Sequence, residues 1–219
     1  MTKFRTRSTL AALAAMLALP AVARAQAERT WEIAPYVGVA RHSPAGTHLG
    51  QEPGRNHLFL GVHLTAALLR ARGFTLAFAP EIVPLLLVSD NPTYHVVRRP
   101  DVAELFQERV IDGQRTVAGV GGSPIGFEGR LLVGPRLRVY IATAAGFLMF
   151  TRATPDPYAR AFNYSFEFGG GLDYRLRHAW IVRVGYKFHH FSNGNSALSN
   201  PGVDAEVVMI GLAHGVGRR

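Results

Sequence analysis

The sequence predicts an all-β protein, an eight-stranded antiparallel transmembrane β-barrel. Three observations carry that prediction. The chain opens with an export signal, its body consists of segments that alternate apolar and polar residues, and the connections between them alternate short and long.

Residues 1–25 read as a secretory signal peptide that is cleaved. Lys3, Arg5 and Arg7 supply the positive start, Leu10 to Leu19 the short apolar stretch, and Pro20 ends it. Ala23-Arg24-Ala25 places small residues where a signal peptidase reads them, and Ala25-Gln26-Ala27 offers a second cut two residues on. The apolar run is too short to span a bilayer as a helix.

Composition narrows the remaining choices. Of 219 residues, 48% are hydrophobic and none is Cys, which excludes a disulfide scaffold, a thiolate metal site and a cysteine nucleophile. The abundant Phe, Tyr, Val and Leu exclude low-complexity disorder. The formal charge is +9, but the leader holds four of the 24 basic residues (Lys3, Arg5, Arg7 and Arg24) and no acid. The expected mature chain, residues 26–219, therefore keeps 20 basic residues against 15 acids. It shows no basic cluster with interleaved aromatics, so nucleic-acid binding is unsupported.

Period two is clearest from Phe162 to Tyr174. Phe162, Tyr164, Phe166, Phe168, Leu172 and Tyr174 fall on one face; Asn163, Ser165, Glu167 and Asp173 fall on the other. A soluble sandwich and a membrane barrel both produce this alternation. Strand length, export and the aromatic ends favour the membrane, since this segment exceeds the five or six residues usual in soluble sheets. Strands are expected near Trp31–Ala40, His57–Leu68, Phe74–Leu87, Ile125–Val133, Leu137–Phe150, Ala161–Arg175, Ala179–Phe191 and Asp204–His214. Short turns fall near Ala71–Gly73, Gly134–Arg136 and Leu176–His178. Longer loops fall at Arg41–Asn56, Val88–Pro124, Thr151–Arg160 and Ser192–Val203. That is the outer-membrane arrangement of short periplasmic turns and long external loops.

An eight-stranded barrel has an interior that side chains fill, which argues against a pore. Glu81, Glu128, Arg130, Glu167, Asp173, Arg183 and Lys187 all lie on the polar parity and are expected to pair across the lumen.

The segment from Val184 to Asp204 carries the chemistry. His190-Phe-Ser192 sets an imidazole and a hydroxyl two residues apart, on one side of a strand. A serine hydroxyl is a weak nucleophile until a base stands beside it. Trp180, Val182, Val184, Tyr186 and Phe188 share that side, whereas Arg183, Lys187 and His189 take the other. His190 and Ser192 thus fall on the lipid side, near a strand end. Asp204 and Glu206 share the parity of Val208, Ile210 and Leu212, so two acids reach the same outer rim. Ionisable groups on a membrane face are expensive and point to function.

His190-x-Ser192-Asn193, followed by Asn200-Pro-Gly-Val-Asp204 in an exported eight-stranded barrel, resembles the outer-membrane lipid A 3-O-deacylases of the PagL type, often labelled acyloxyacyl hydrolases. The resemblance covers the mature chain in architecture and residues 190–212 in specific positions. It implies a serine esterase in a Gram-negative outer membrane, removing the acyl chain ester-linked at position 3 of the lipid A backbone of lipopolysaccharide. It implies Ser192 as nucleophile, His190 as base and Asp204 as the acid that orients the imidazole. Asn193 and Asn200 would stand where the oxyanion forms. The characterised family enzyme has Glu at the Asp204 position; Asp is one methylene shorter, and Glu206 is the second acid on that face. No cofactor is implied, and whether two barrels pair as a homodimer is open.

Two expectations concern the remainder. Asp101–Ile111 is read as a loop or a short amphipathic helix, with Arg98 and Arg99 able to meet lipid A phosphates. The chain ends His214-Gly-Val-Gly-Arg-Arg219, without the terminal aromatic common in such barrels. The competing readings are a catalytically silent barrel with a structural or adhesive role and a soluble periplasmic lipid-binding barrel.

Overall fold

The computed structural model describes residues 31–41, 43–44, 49–50, 52, 54–98, 100–101, 103, 108–176 and 180–216. The leader, Arg99 and the last three residues lie outside them. Nine strands follow one another: β1 (Trp31–Ala40), β2 (Asn56–Ala71), β3 (Phe74–Phe78), β4 (Glu81–Val97), β5 (Glu108–Leu132), β6 (Leu137–Thr154), β7 (Arg160–Arg175), β8 (Trp180–Ser192) and β9 (Val203–Val216). All pairings are antiparallel, and β1 pairs both β2 and β9, which closes the sheet into a barrel.

Nine strands make eight staves because β3 and β4 share one. β2 pairs β3 through Ala66–Ala71 and β4 through Asn56–His63, and β5 pairs the same two strands from the other side. The break falls at Ala79-Pro80. Proline has no N–H to give the ladder, so the strand is interrupted there. Continuity is kept by Ala79 N–H donating to Gly126 O at 2.8 Å and Leu64 N–H to Pro80 O at 2.9 Å. The single strand expected over Phe74–Leu87 is thus two.

The upper half of the barrel is longer than expected. Most of the stretch Val88–Pro124, read as a loop, is a hairpin in which β4 runs to Val97 and β5 starts at Glu108. Pro92, Gly113, the glycines at 119, 121 and 122, and Pro124 gave it loop composition. Ladder pairing between two neighbouring staves overrides that local preference. Of the stretch Asp101–Ile111, Glu108–Ile111 belongs to β5 and Asp101 lies in a turn, while residues 102 and 104–107 lie outside the described residues. Arg98, exposed, ends just beyond β4. The expected loop Thr151–Arg160 shortens to 155–159.

Parity runs as expected. Val37, Ile82, Ile125, Ile141, Phe168, Val184, Val208 and Ile210 face outward and are exposed, Ile141 by as much as 70%. That is the face of a wall whose solvent is lipid. Inside, the lumen is filled in three layers. Toward the short turns, Arg183 reaches Glu128 with both terminal nitrogens at 2.9 Å and Asp173 with Nε at 2.8 Å. Arg130 bonds Glu128 and Glu32, and Arg138 bonds Asp173 at 3.0 Å. Midway, Lys187 Nζ lies 3.0 Å from Glu81 and 2.6 Å from Glu167, and Tyr36 donates its hydroxyl to Glu81 at 2.7 Å. Toward the long loops, Phe59, Leu86, Val88, Val117, Phe150, Phe191, Val203 and Val207 form an apolar plug. His189 is a lumen residue, with Nδ1 3.2 Å from Glu167, and the His214 ring lies 4.5 Å from that of Trp180, tilted by 55°.

Removing one partner of a buried ion pair leaves the other charge uncompensated, at about 3–5 kcal/mol. Glu128→Leu removes the acid that Arg183 and Arg130 share, leaving Arg183 with Asp173 alone and Arg130 with Glu32 alone. It is expected to lower the unfolding free energy by up to about that amount, seen as a lower denaturant midpoint of the heat-modifiable band on gels, while Glu206→Leu on the outer wall leaves the midpoint unchanged.

Candidate active site

β8 and β9 build the site. Their register sets His190 directly opposite Asp204, and the parity that turns Val184 and Ile210 to lipid turns both of these side chains the same way. Directly opposed residues on one face of a sheet have Cβ atoms about 5 Å apart. An aspartate is therefore long enough: His190 Nδ1 lies 2.6 Å from Asp204 Oδ1. The distance is that of a charge-assisted bond. It commits Nδ1 to the acid and leaves Nε2 as the nitrogen able to act as a base.

Ser192 follows on the same face, about 7 Å further along the strand. It is half-buried and stands opposite Tyr164 in the β7 register, as His190 stands opposite Phe166. The Phe166 and His190 rings lie 5.3 Å apart, so one wall of the site is aromatic. Among the described residues, neither the Ser192 hydroxyl nor His190 Nε2 is taken by another hydrogen bond.

Both members of the pair are on the outer wall, yet neither is open to lipid: His190 is 7% exposed and Asp204 0%. The β1–β2 connection provides the cover. A Cβ on Gly50 would meet Asp204 Cγ at 2.6 Å, and one on Gly202 would meet His190 Cε1 at 2.9 Å and Leu49 O at 2.5 Å. Backbone therefore lies directly against the acid and the imidazole, at positions that tolerate only glycine. Glu52 N–H donates to Gly202 O at 3.3 Å, tying this connection to the β8–β9 loop.

That loop is itself organised by the two asparagines. Asn193 donates from its side chain to Ser199 O at 2.6 Å and accepts Ser196 N–H at 3.2 Å, while Asn200 Oδ1 accepts Asn193 N–H at 2.9 Å. Asn193 is buried, whereas Asn200 is half-buried and gives one amide hydrogen to Asn195 at 3.0 Å. The β6–β7 loop and the first residue of β7 brace it from the other side: Asp156 accepts the Ser199 hydroxyl, and Arg160 Nε donates to Ser196 O at 2.6 Å. Glu206 does not join this group. It is exposed and stands opposite Phe188, one step deeper on the wall, facing the Tyr186 hydroxyl.

The structure therefore brings His190, Ser192 and Asp204 to one patch, puts Asn193 and Asn200 in the adjoining loop, and leaves Glu206 aside. Leu49, Gly50 and Gly202 are the residues that sequence reasoning did not single out. Gly202 had a signal, a glycine after Pro201 just before a strand; Gly50 had none. No three His, Asp or Glu side chains gather as metal ligands among the described residues.

Fold and site define the class: an outer-membrane β-barrel of eight staves that carries a histidine–acid pair on its outer wall. The family model described as "Lipid A 3-O-deacylase (PagL)" matches residues 108–213, the region that holds His190, Ser192 and Asp204. The matched region includes the His190–Asp204 segment, so the chain is similar to that family where the sequence resemblance was read. Among solved structures, "the outer membrane enzyme PagL" is similar with a TM-score of 0.53 at 12% identity, over 82% of this chain and 97% of that one. The attachment invasion locus protein Ail of Yersinia pestis is similar at 12% identity with a TM-score of 0.44, over 87% of this chain and 100% of that one. Neisserial surface protein A is similar at 9% identity with a TM-score of 0.46, over 84% and 96%. No curated protein matches the chain.

The cover over Asp204 generates a test. Gly50→Val places atoms where Asp204 already stands, so the Leu49–Glu52 segment is expected to lift away. Hydrogen exchange at the Glu52 amide should accelerate while the thermal midpoint of the barrel holds; unchanged exchange would show that the segment does not depend on Gly50.

Proposed function

We propose that this protein is an outer-membrane serine esterase that removes the 3-O-linked acyl chain of lipid A in lipopolysaccharide, exported by residues 1–25 and working without a cofactor. The observation that carries the reading is the His190–Asp204 pair at 2.6 Å, set on the lipid face with Ser192 two residues along the same strand. The family model that covers these three residues supports the substrate.

Asp204 fixes the imidazole with its Nδ1 proton toward the carboxylate, so that Nε2 is the basic nitrogen. His190 Nε2 takes the proton of Ser192 Oγ as that oxygen attacks the ester carbonyl at position 3. The tetrahedral intermediate collapses with cleavage of the bond to the sugar oxygen, which receives the proton from His190. Water then repeats the sequence on the acyl-serine and releases the fatty acid. Asn200, half-buried, would supply the oxyanion donor from its second amide hydrogen. Asn193 shapes the loop that presents it. Asp204 acts in the role that the longer acid fills in the characterised family enzyme.

The test is mass spectrometry of lipid A from a Gram-negative host that retains its 3-linked acyl chain and expresses this barrel. Wild type is expected to shift lipid A down by one hydroxyacyl mass, and Ser192→Ala to abolish the shift. An unchanged spectrum with the wild-type barrel folded in the outer membrane would overturn the proposal in favour of a silent structural barrel. Asp204→Asn is expected to cost roughly 10⁴ in turnover by losing the correct tautomer. Asn200→Ala should cost on the order of 10²–10³, measured on detergent-solubilised lipid A.

A further inference from the structure

At the end of the barrel opposite the candidate active site, the lumen opens into a cavity of about 550 Å³ at the short turns. That volume is in the range of small-molecule sites. Its floor is Glu32, Arg130 and Arg138, and its rim carries Arg70, Arg72 and Arg175. The floor is electrically settled. Glu32, Glu128 and Asp173 stand against Arg130, Arg138 and Arg183 in a network of direct ion pairs. The rim is not. Arg72, in the β2–β3 turn, and Arg175, at the end of β7, are exposed and pair with no acid among the described residues.

Direction separates Arg175 from an arginine that merely snorkels toward lipid headgroups outside, and Arg72 lines the same cavity. Arg175 falls on the same parity as Asp173, which is buried and bonded to Arg183 inside the lumen. Arg138 likewise shares the parity of Tyr140, buried beneath the Arg183 guanidinium. These side chains belong to the interior of the mouth. A planar guanidinium offers two parallel donors, and forks from separate strands converge on a tetrahedral anion from several sides. A carboxylate needs one fork, and Glu32 already fills that role on the floor.

We infer that the turn-side mouth of the barrel is a binding site for a phosphate-bearing anion, held by Arg72 and Arg175 over the Glu32–Arg130–Arg138 floor. The phosphate can belong to a soluble phosphoanion or to the headgroup of an anionic phospholipid in the leaflet this end faces. The site is independent of the esterase reading, since it lies at the other end of the barrel and shares no residue with it.

The experiment compares the full folded chain with the double variant Arg72→Gln/Arg175→Gln. Arg136→Gln, an exposed arginine in the β5–β6 turn that does not line the cavity, is the control. The first arm titrates inorganic phosphate in zwitterionic detergent at low salt, followed by phosphorus NMR. The second measures retention of phosphatidylglycerol over phosphatidylcholine by native mass spectrometry from nanodiscs. Saturable phosphate binding, weakened at least tenfold by the double variant and not by the control, supports a soluble phosphoanion. Selective retention of phosphatidylglycerol that the double variant loses supports a lipid headgroup. Absence of both, or equal binding by the double variant and wild type with the same heat-modifiable band, overturns the inference.

Discussion

A strand wall inside hydrocarbon has no water to satisfy an unpaired peptide group, and the β1–β9 ladder removes the last open edge. Closing at eight staves then has a second consequence. The interior is too narrow for a channel and too wide to stay empty, so side chains must fill it. Every inward position becomes core, including those the alternation makes charged. Glu81, Glu128, Glu167 and Asp173 meet Arg130, Arg183 and Lys187 because a charge there without a partner would not be retained. Closure thus dictates both the apolar exterior and the paired interior.

The same constraint decides where chemistry can be placed. Above the ion pairs the lumen is stopped by Phe59, Leu86, Phe150 and Phe191, so no path leads through the barrel to a reactive group. A site for a lipid substrate has to stand on the outer wall, where substrate already is. Yet a bare histidine and carboxylate in lipid are costly. The fold meets this by setting the pair at the rim, where Leu49, Gly50 and Gly202 bring backbone over them. Asp204 is fully buried without being in the lumen, which is a third environment in a wall that otherwise has two.

Most of the fold was legible because a barrel's alternation is written in consecutive residues. The parity of Trp180 through Phe188 alone separated Arg183, Lys187 and His189 from His190 and Ser192, and the structure keeps that division. What lay beyond reading were features set by partners distant in sequence. The β4–β5 hairpin is rich in glycine and carries Pro92 and Pro124, and only pairing with adjacent staves makes it strand. The opposition of His190 and Asp204 depends on the length of the β8–β9 loop and on the bonds Asn193 and Asn200 make inside it. Gly50 acts from a connection more than a hundred residues away, with nothing local to mark it.

Register explains how an aspartate reaches His190. Had Asp204 stood diagonally from His190, the side chains would have had to span about 7–8 Å between Cα positions, and a glutamate would have been the better length. Direct opposition shortens the gap to what an aspartate bridges, with the imidazole held at 2.6 Å. Glu206 is two residues on and therefore on the same face, but the same register gives it Phe188 as its opposite number. Sharing a face made two acids eligible; only the ladder distinguishes them. The acid on His190 is thus selected by strand pairing, and its length follows from where that pairing puts it.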